Sequence, residues 1–261
     1  MGSSVAWEGQ VHVIFRTHVH VSVIQFCQSK MKLINLECKD VITKLQAQLG
    51  LQSVDVVYDA LEITKTRLKW GNHIIYFNAI DNEAEREKYK KKSEEAQIKY
   101  KTKSAVIHIP DLKVCQIIDI FKADITGAYD RTCEYLRKIK PSVECPIDLL
   151  FIMNIFLHEV GHWQQLYKNN RLVMSYIKLD KELEEAIALT SKKLSQRIQE
   201  LSVRCLESYK PSEKMIKKLT ALEEKYRMIP KEAEADAYAK MLIEEMDMKK
   251  YLSSLEVMTK E

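Results

Sequence analysis

Glycine and proline are scarce, with 6 and 5 among 261 residues. So little of either excludes a collagen-like polymer. With 46% apolar and 30% charged residues it argues against a disordered chain and for a helix-rich globular protein. Long apolar runs are also missing. The most apolar stretch, Leu149 to Leu157, is interrupted by Asn154 and closed by His158 and Glu159. It falls well short of the roughly 20 residues that a membrane span requires, and reads as a buried core helix. The six cysteines, at 27, 38, 115, 133, 145 and 205, form no CxxC pair and no dense cluster, and no signal-peptide pattern accompanies them. They are expected to be reduced thiols in a cytoplasmic protein. No charge of one sign dominates: 41 Lys and Arg stand against 37 Asp and Glu, a net +4 spread along the chain. That balance calls for no nucleic acid and no anionic membrane as partner.

Residues 11–26 alternate Val19, Val21 and Val23 with His18, His20 and Ser22, the period of a half-buried strand. Because Met1-Gly2-Ser3-Ser4 opens the chain and Met31 starts a new lysine-containing run, residues 1–30 are expected to be a strand segment or an upstream extension. A helix is expected over about Leu36 to Leu49, stopped by Gly50, followed by short strands at Val54 to Tyr58, His73 to Phe77 and Ala105 to Ile109. The run 83–103 interleaves both signs of charge, which marks a solvated helix rather than a binding arm. From Asp111 onward the pattern is helical: Val114 to Lys138, Pro146 to about Tyr167, Leu179 to about Tyr209, Ser212 to Arg227 and Lys231 to Met246. The expected architecture is therefore α+β, a small N-terminal sheet packed against a larger helical body.

The Pro146 helix carries His158-Glu159-Val160-Gly161-His162, an HExxH motif. Residues i and i+4 share one helical face, so both imidazoles can reach one metal ion, while Glu159 is set beside its open side. Zn²⁺ lowers the pKa of bound water toward about 7, and a carboxylate within hydrogen-bonding reach can remove its proton and return it to the leaving amine. Glu159 is the candidate general base and acid. The run FIMNIFL just upstream buries this helix, and two buried imidazoles and a carboxylate need partners.

Two histidines do not complete a zinc site, and no histidine follows His162, so the third ligand is expected to be a carboxylate or a cysteine. The segment Glu232-Ala233-Glu234-Ala235-Asp236-Ala237-Tyr238-Ala239 sets Glu232 and Asp236 on one face, and its alanines permit close approach to the HExxH helix. Glu232 is assigned as third ligand. Asp236 is assigned as the acceptor that orients a ligand histidine through its other ring nitrogen. Glu234 sits about 200° around the helix from Glu232 and points away.

HEVGH followed by an ExxxD on an alanine-rich helix resembles the gluzincin metallopeptidases. The likeness is nearest to the soluble ImmA/IrrE family and more distant to the membrane-embedded HtpX and CAAX-prenyl-protease family. It covers residues 150–167 and 230–243. It implies a zincin-like peptidase domain over 31–261, a protein or peptide substrate, and a helix-turn-helix repressor as a partner class. The 69 residues between His162 and Glu232 exceed what such proteins imply, so about 179–227 is read as a helical insertion.

Weaker candidates are the His18 and His20 pair, read as solvent-facing, and His73 and His108, read as polar strand-end residues. Trp163 is read as core or pocket wall. Tyr167, Tyr226, Arg227 and Tyr238 are open candidates for donor to the oxyanion. The expected function is a zinc-dependent peptidase. The alternative is a non-catalytic regulatory protein that binds a partner through its charged helices, 179–227.

Overall fold

The computed structural model describes residues 35–69, 74–92, 96, 99–124, 127–140, 145–187, 189, 190, 193, 194 and 211–258. The fold is α+β. The strand expected within 11–26 and most of the helix expected at 179–209 lie outside the described residues, as do Cys27, His73 and Cys205.

Helix α1 (Cys38–Leu49) buries Cys38, Val41, Ile42 and Leu45, the 3.6-residue stripe of an amphipathic helix. Gly50 ends it at φ 68°, a left-handed conformation that costs glycine nothing. Strand β1 (Val56–Asp59) then leads into α2 (Leu61–Lys69), a helix where only a charged connection was expected. Strand β2 (Tyr76–Asn78) is followed by α3 (Glu83–Lys90), capped by the Asn82 side chain. The run 83–103 is thus not one solvated helix. It turns back after Lys90, and Glu85 accepts the backbone N–H of Lys103 at 2.8 Å and the hydroxyl of Thr102 at 3.3 Å. Strand β3 (Val106–Pro110) is central: the order is β1-β3-β2, with β1 parallel and β2 antiparallel to it. The N–H of Ile107 bonds to the carbonyl of Asp55, so Ile107 and Phe77 face each other without sharing a ladder bond. Phe77 therefore turns its backbone polar groups away from β3.

The helix expected over Val114 to Lys138 is two, α4 (Val114–Lys122) and α5 (Ala128–Ile139). The break comes at Gly127, at φ 68°, whose N–H closes a turn on the carbonyl of Asp124. Helix α6 (Ile147–Lys168) is the centre of the molecule, buried at every position from Leu149 to Leu157 except Ile155, which is half-buried. Phe151 packs edge-on against Phe121 of α4 and tilted against Tyr129 of α5. Short α7 (Val173–Lys178) follows. Helix α7 was not expected; Asp180 adopts φ 57° after it, and residues 181–187 are helical, close to the start expected at Leu179. Helices α8 (Glu213–Arg227) and α9 (Pro230–Glu245) meet at a tight corner, with Ile229 buried in it and proline at the first position of α9. A last helix, α10 (Met248–Met258), was not expected. It docks on α1 through Tyr251, whose hydroxyl donates to the carbonyl of Val41 at 3.0 Å. Among the described residues no helix is long and apolar enough to cross a membrane.

Candidate metal centre

Helix α6 enters the core as an apolar rod and emerges at the HEVGH turn, where its polar face meets α9. The close approach of the two helices depends on a missing side chain. A Cβ built on Gly161 would lie 2.7 Å from Cα and 3.0 Å from the carbonyl oxygen of Ala235. Ala235 and Ala239 of α9 are both fully buried, and neither carries more than a methyl group. The first turn of α9 is thereby carried against the histidines.

The result brings together His158, His162 and Glu232, all buried. The two Nε2 atoms lie 3.1 Å apart, and Glu232 Oε2 lies 3.2 Å from Nε2 of His158 and 3.5 Å from Nε2 of His162. A tetrahedral ion about 2.0–2.1 Å from each donor would hold neighbouring donors roughly 3.3 Å apart. The observed spacing has the dimensions of one face of such a site.

The outer contacts fix which ring nitrogens carry protons. His158 Nδ1 lies 2.7 Å from Asp236 Oδ1, an atom that can only accept. His162 Nδ1 lies 3.0 Å from Gln165 Oε1. The amide of Gln165 is oriented by two acceptors on its nitrogen, the carbonyl of Lys231 at 2.6 Å and Glu234 Oε2 at 3.1 Å, so its oxygen faces the ring. Both Nδ1 atoms therefore donate, and in the neutral rings both Nε2 atoms present lone pairs. Two imidazole lone pairs and a carboxylate oxygen converge on one point, an arrangement that could hold a metal ion. A proton is the alternative occupant. Burial alone would lower the pKa of His158, but the hydrogen bonds to Asp236 and Glu232 outweigh it and push the value up to about 9. For Glu232, burial is outweighed by the two imidazoles, which hold its carboxyl far below the usual range.

Around this core, Glu159 is half-buried and faces the sheet, where its Oε2 accepts the backbone N–H of Phe77 at 2.8 Å. The Phe77 ring meets Tyr176 of α7 edge-on at 5.7 Å, and Tyr176 flanks His162 at 6.5 Å between ring centroids. Burial, then the charges of Glu159 and Glu232, drive the Tyr176 hydroxyl well above its ordinary pKa, so it stays protonated. At the α8–α9 corner, Tyr226 Oη donates to Glu232 Oε1 at 3.1 Å and Arg227 Nη1 donates to Asp236 Oδ1 at 2.5 Å. Lys231 is ion-paired with Glu184 and lies over the Tyr176 ring.

Of the residues singled out from the sequence, His158, His162, Glu232, Asp236, Glu159, Tyr226 and Arg227 are thus assembled. Glu234 points outward to Lys168 at 2.7 Å. Trp163 is buried and stacked on Tyr167, which is 57% exposed and takes no part in the cluster. Tyr238 lies on the outer side of the α6–α9 seam, in a groove with Gly161 and Gln164. His108 is not a strand-end residue. It is buried within β3, with its two ring nitrogens 3.2 Å from Asp59 and 2.9 Å from Asp81, and is stacked on Tyr76. Sequence reasoning missed Gln165, Phe77 and Tyr176. Gln165 had a signal in its i+3 spacing from His162. A backbone donor such as Phe77 has none.

No protein-family model, no curated protein and no solved structure matches this chain. The likeness to gluzincins accordingly rests on the motif residues alone.

Proposed function

We propose that the chain is a zinc-dependent peptidase of gluzincin type, with His158, His162 and Glu232 as metal ligands and Glu159 as general base and acid. The observation that carries this reading is the convergence of three lone-pair donors spaced as one face of a tetrahedron, beside an uncoordinated carboxylate. When bound, zinc supplies Lewis acidity, drawing the pKa of water toward about 7 and polarising a peptide carbonyl.

The chain's own residues do the rest. Asp236 and Gln165 keep both Nδ1 atoms protonated and both Nε2 atoms available. Glu159 takes the proton of the attacking water and delivers it to the leaving amine. The edge of β2 that faces away from β3 runs beside Glu159, and the Phe77 N–H there holds the Glu159 carboxylate. A protein or peptide substrate is the class that a gluzincin-type site implies. A repressor substrate and a cytoplasmic setting belong to the proposal through the family resemblance and the cysteine pattern alone.

One observation favours the alternative, a non-catalytic metal-binding partner protein: Glu159 Oε2 is already engaged by Phe77. Metal analysis and peptide hydrolysis on wild type beside Glu159→Gln separate the two. The peptidase reading expects about one zinc per chain in both proteins and cleavage by the wild type only. Zinc retained after replacement of either histidine would overturn it.

A further inference from the structure

The two carboxylate oxygens of Glu232 have different environments. Oε2 faces both imidazoles, whereas Oε1 faces away and accepts the hydroxyl of Tyr226. Tyr226 closes α8, and the N–H of Ile229 bonds back to its carbonyl at 3.0 Å, so the α8–α9 corner fixes the phenol relative to a residue six positions on. Helix α8 is anchored elsewhere by Leu219, which is buried, and by an ion pair from Glu223 to Arg131 of α5.

We propose that Tyr226 is a positioning residue that holds Glu232 to ligation through a single oxygen. A carboxylate can turn one or both oxygens to an ion. If both turned inward here, Glu232 would occupy the position that a catalytic ion keeps open for its reactant. The hydroxyl of Tyr226 prevents this by giving Oε1 a better partner outside the cluster, since a buried carboxylate oxygen without a donor is costly. The segment read as an insertion therefore reaches the centre: its last residues, Tyr226 and Arg227, grip the two carboxylates of α9 that serve the histidines. Tyr226 is accordingly unavailable as an oxyanion donor while Glu232 keeps this orientation.

This inference rests on the metal reading, and the test separates the two. Cobalt(II) alone is the probe, added to the metal-free full chain, with visible absorption as the readout. Four-coordinate cobalt absorbs intensely and five-coordinate cobalt weakly. Wild type is expected to give the intense spectrum. Tyr226→Phe, which keeps the ring and removes only the hydroxyl, is expected to lose it, and to bind zinc about 10- to 100-fold more weakly in competition with a chelator. A spectrum identical to wild type in Tyr226→Phe overturns the positioning role, whatever the variant does to melting temperature. Failure of the wild type to bind either ion overturns the metal reading itself, and this inference with it.

Discussion

Gly161 of α6 and Ala235 of α9 are in contact across the helix seam, with 2.7 Å between the position a glycine Cβ would take and Ala235 Cα. The contact is to backbone, which cannot swing aside as a side chain would. The glycine inside the HEVGH motif thus sets the distance at which Glu232, three residues before Ala235, meets the two histidines.

Gly161→Ala should therefore act at a distance. Overpacking at a tight seam costs about 1–3 kcal/mol. Here the relief would come from moving α9 outward and taking Glu232 with it. The expected result is a lower melting temperature for the metal-free protein and a smaller rise on adding zinc. A thermal melt with and without zinc checks both. An unchanged zinc-induced rise would show that the seam does not position the third ligand.

Gln165 offers a test of the proton assignments. Its amide oxygen fixes the His162 tautomer, and its nitrogen ties α6 to the start of α9 through the carbonyl of Lys231. Gln165→Leu removes both roles with little change of volume. Loss of such an outer partner weakens metal binding about 10- to 100-fold. Chelator competition measures it. Helical content by circular dichroism should be preserved, because α6 is held by its buried apolar face upstream.

How much of this was legible in the sequence follows the physics of each element. The α6 core helix, the Gly50 stop and the Pro230 start were readable because each is written in local chemistry. The three strands within the described residues were placed to within three residues at either end. The α4–α5 break was missed because a single glycine, Gly127, interrupts an otherwise continuous helical pattern. Helix α10 escaped because its docking on α1 is a tertiary contact between segments about 200 residues apart in the chain. At the centre, His158, His162, Glu232 and Asp236 could be found from spacing on a helix face. Phe77 could not, since its contribution is a backbone N–H at a sheet edge that only the strand order reveals.

The metal-free protein should lose stability as pH rises through the range where His158 deprotonates. Its folded pKa, up to about 9, exceeds the ordinary value of roughly 6.5. A raised pKa contributes stability that is complete below the unfolded value and is lost as pH climbs through the folded one. The window is therefore about pH 6.5 to 9. Zinc competes with that same proton, so its stabilising effect should grow across the window. Denaturant titrations at several pH values, with and without zinc, check the sign. In His158→Gln the slope of the metal-free protein should flatten.

Phe77→Pro isolates the edge-strand N–H. Proline deletes that donor without removing a ladder bond, because the backbone polar groups of Phe77 face away from β3. The preceding residue, Tyr76, is already in a strand, the conformation that a following proline favours. A hydrogen bond to a charged group is worth about 1.5–3 kcal/mol, so kcat/KM for peptide hydrolysis should fall roughly 10- to 100-fold. Zinc content should not change, since Phe77 touches Glu159 and none of the three ligands. Phe77→Ala serves as the control: it strips the ring from Tyr176 but leaves the N–H in place. Equal losses in the two variants would assign the effect to ring packing. A loss confined to the proline variant would assign it to the bond that orients Glu159.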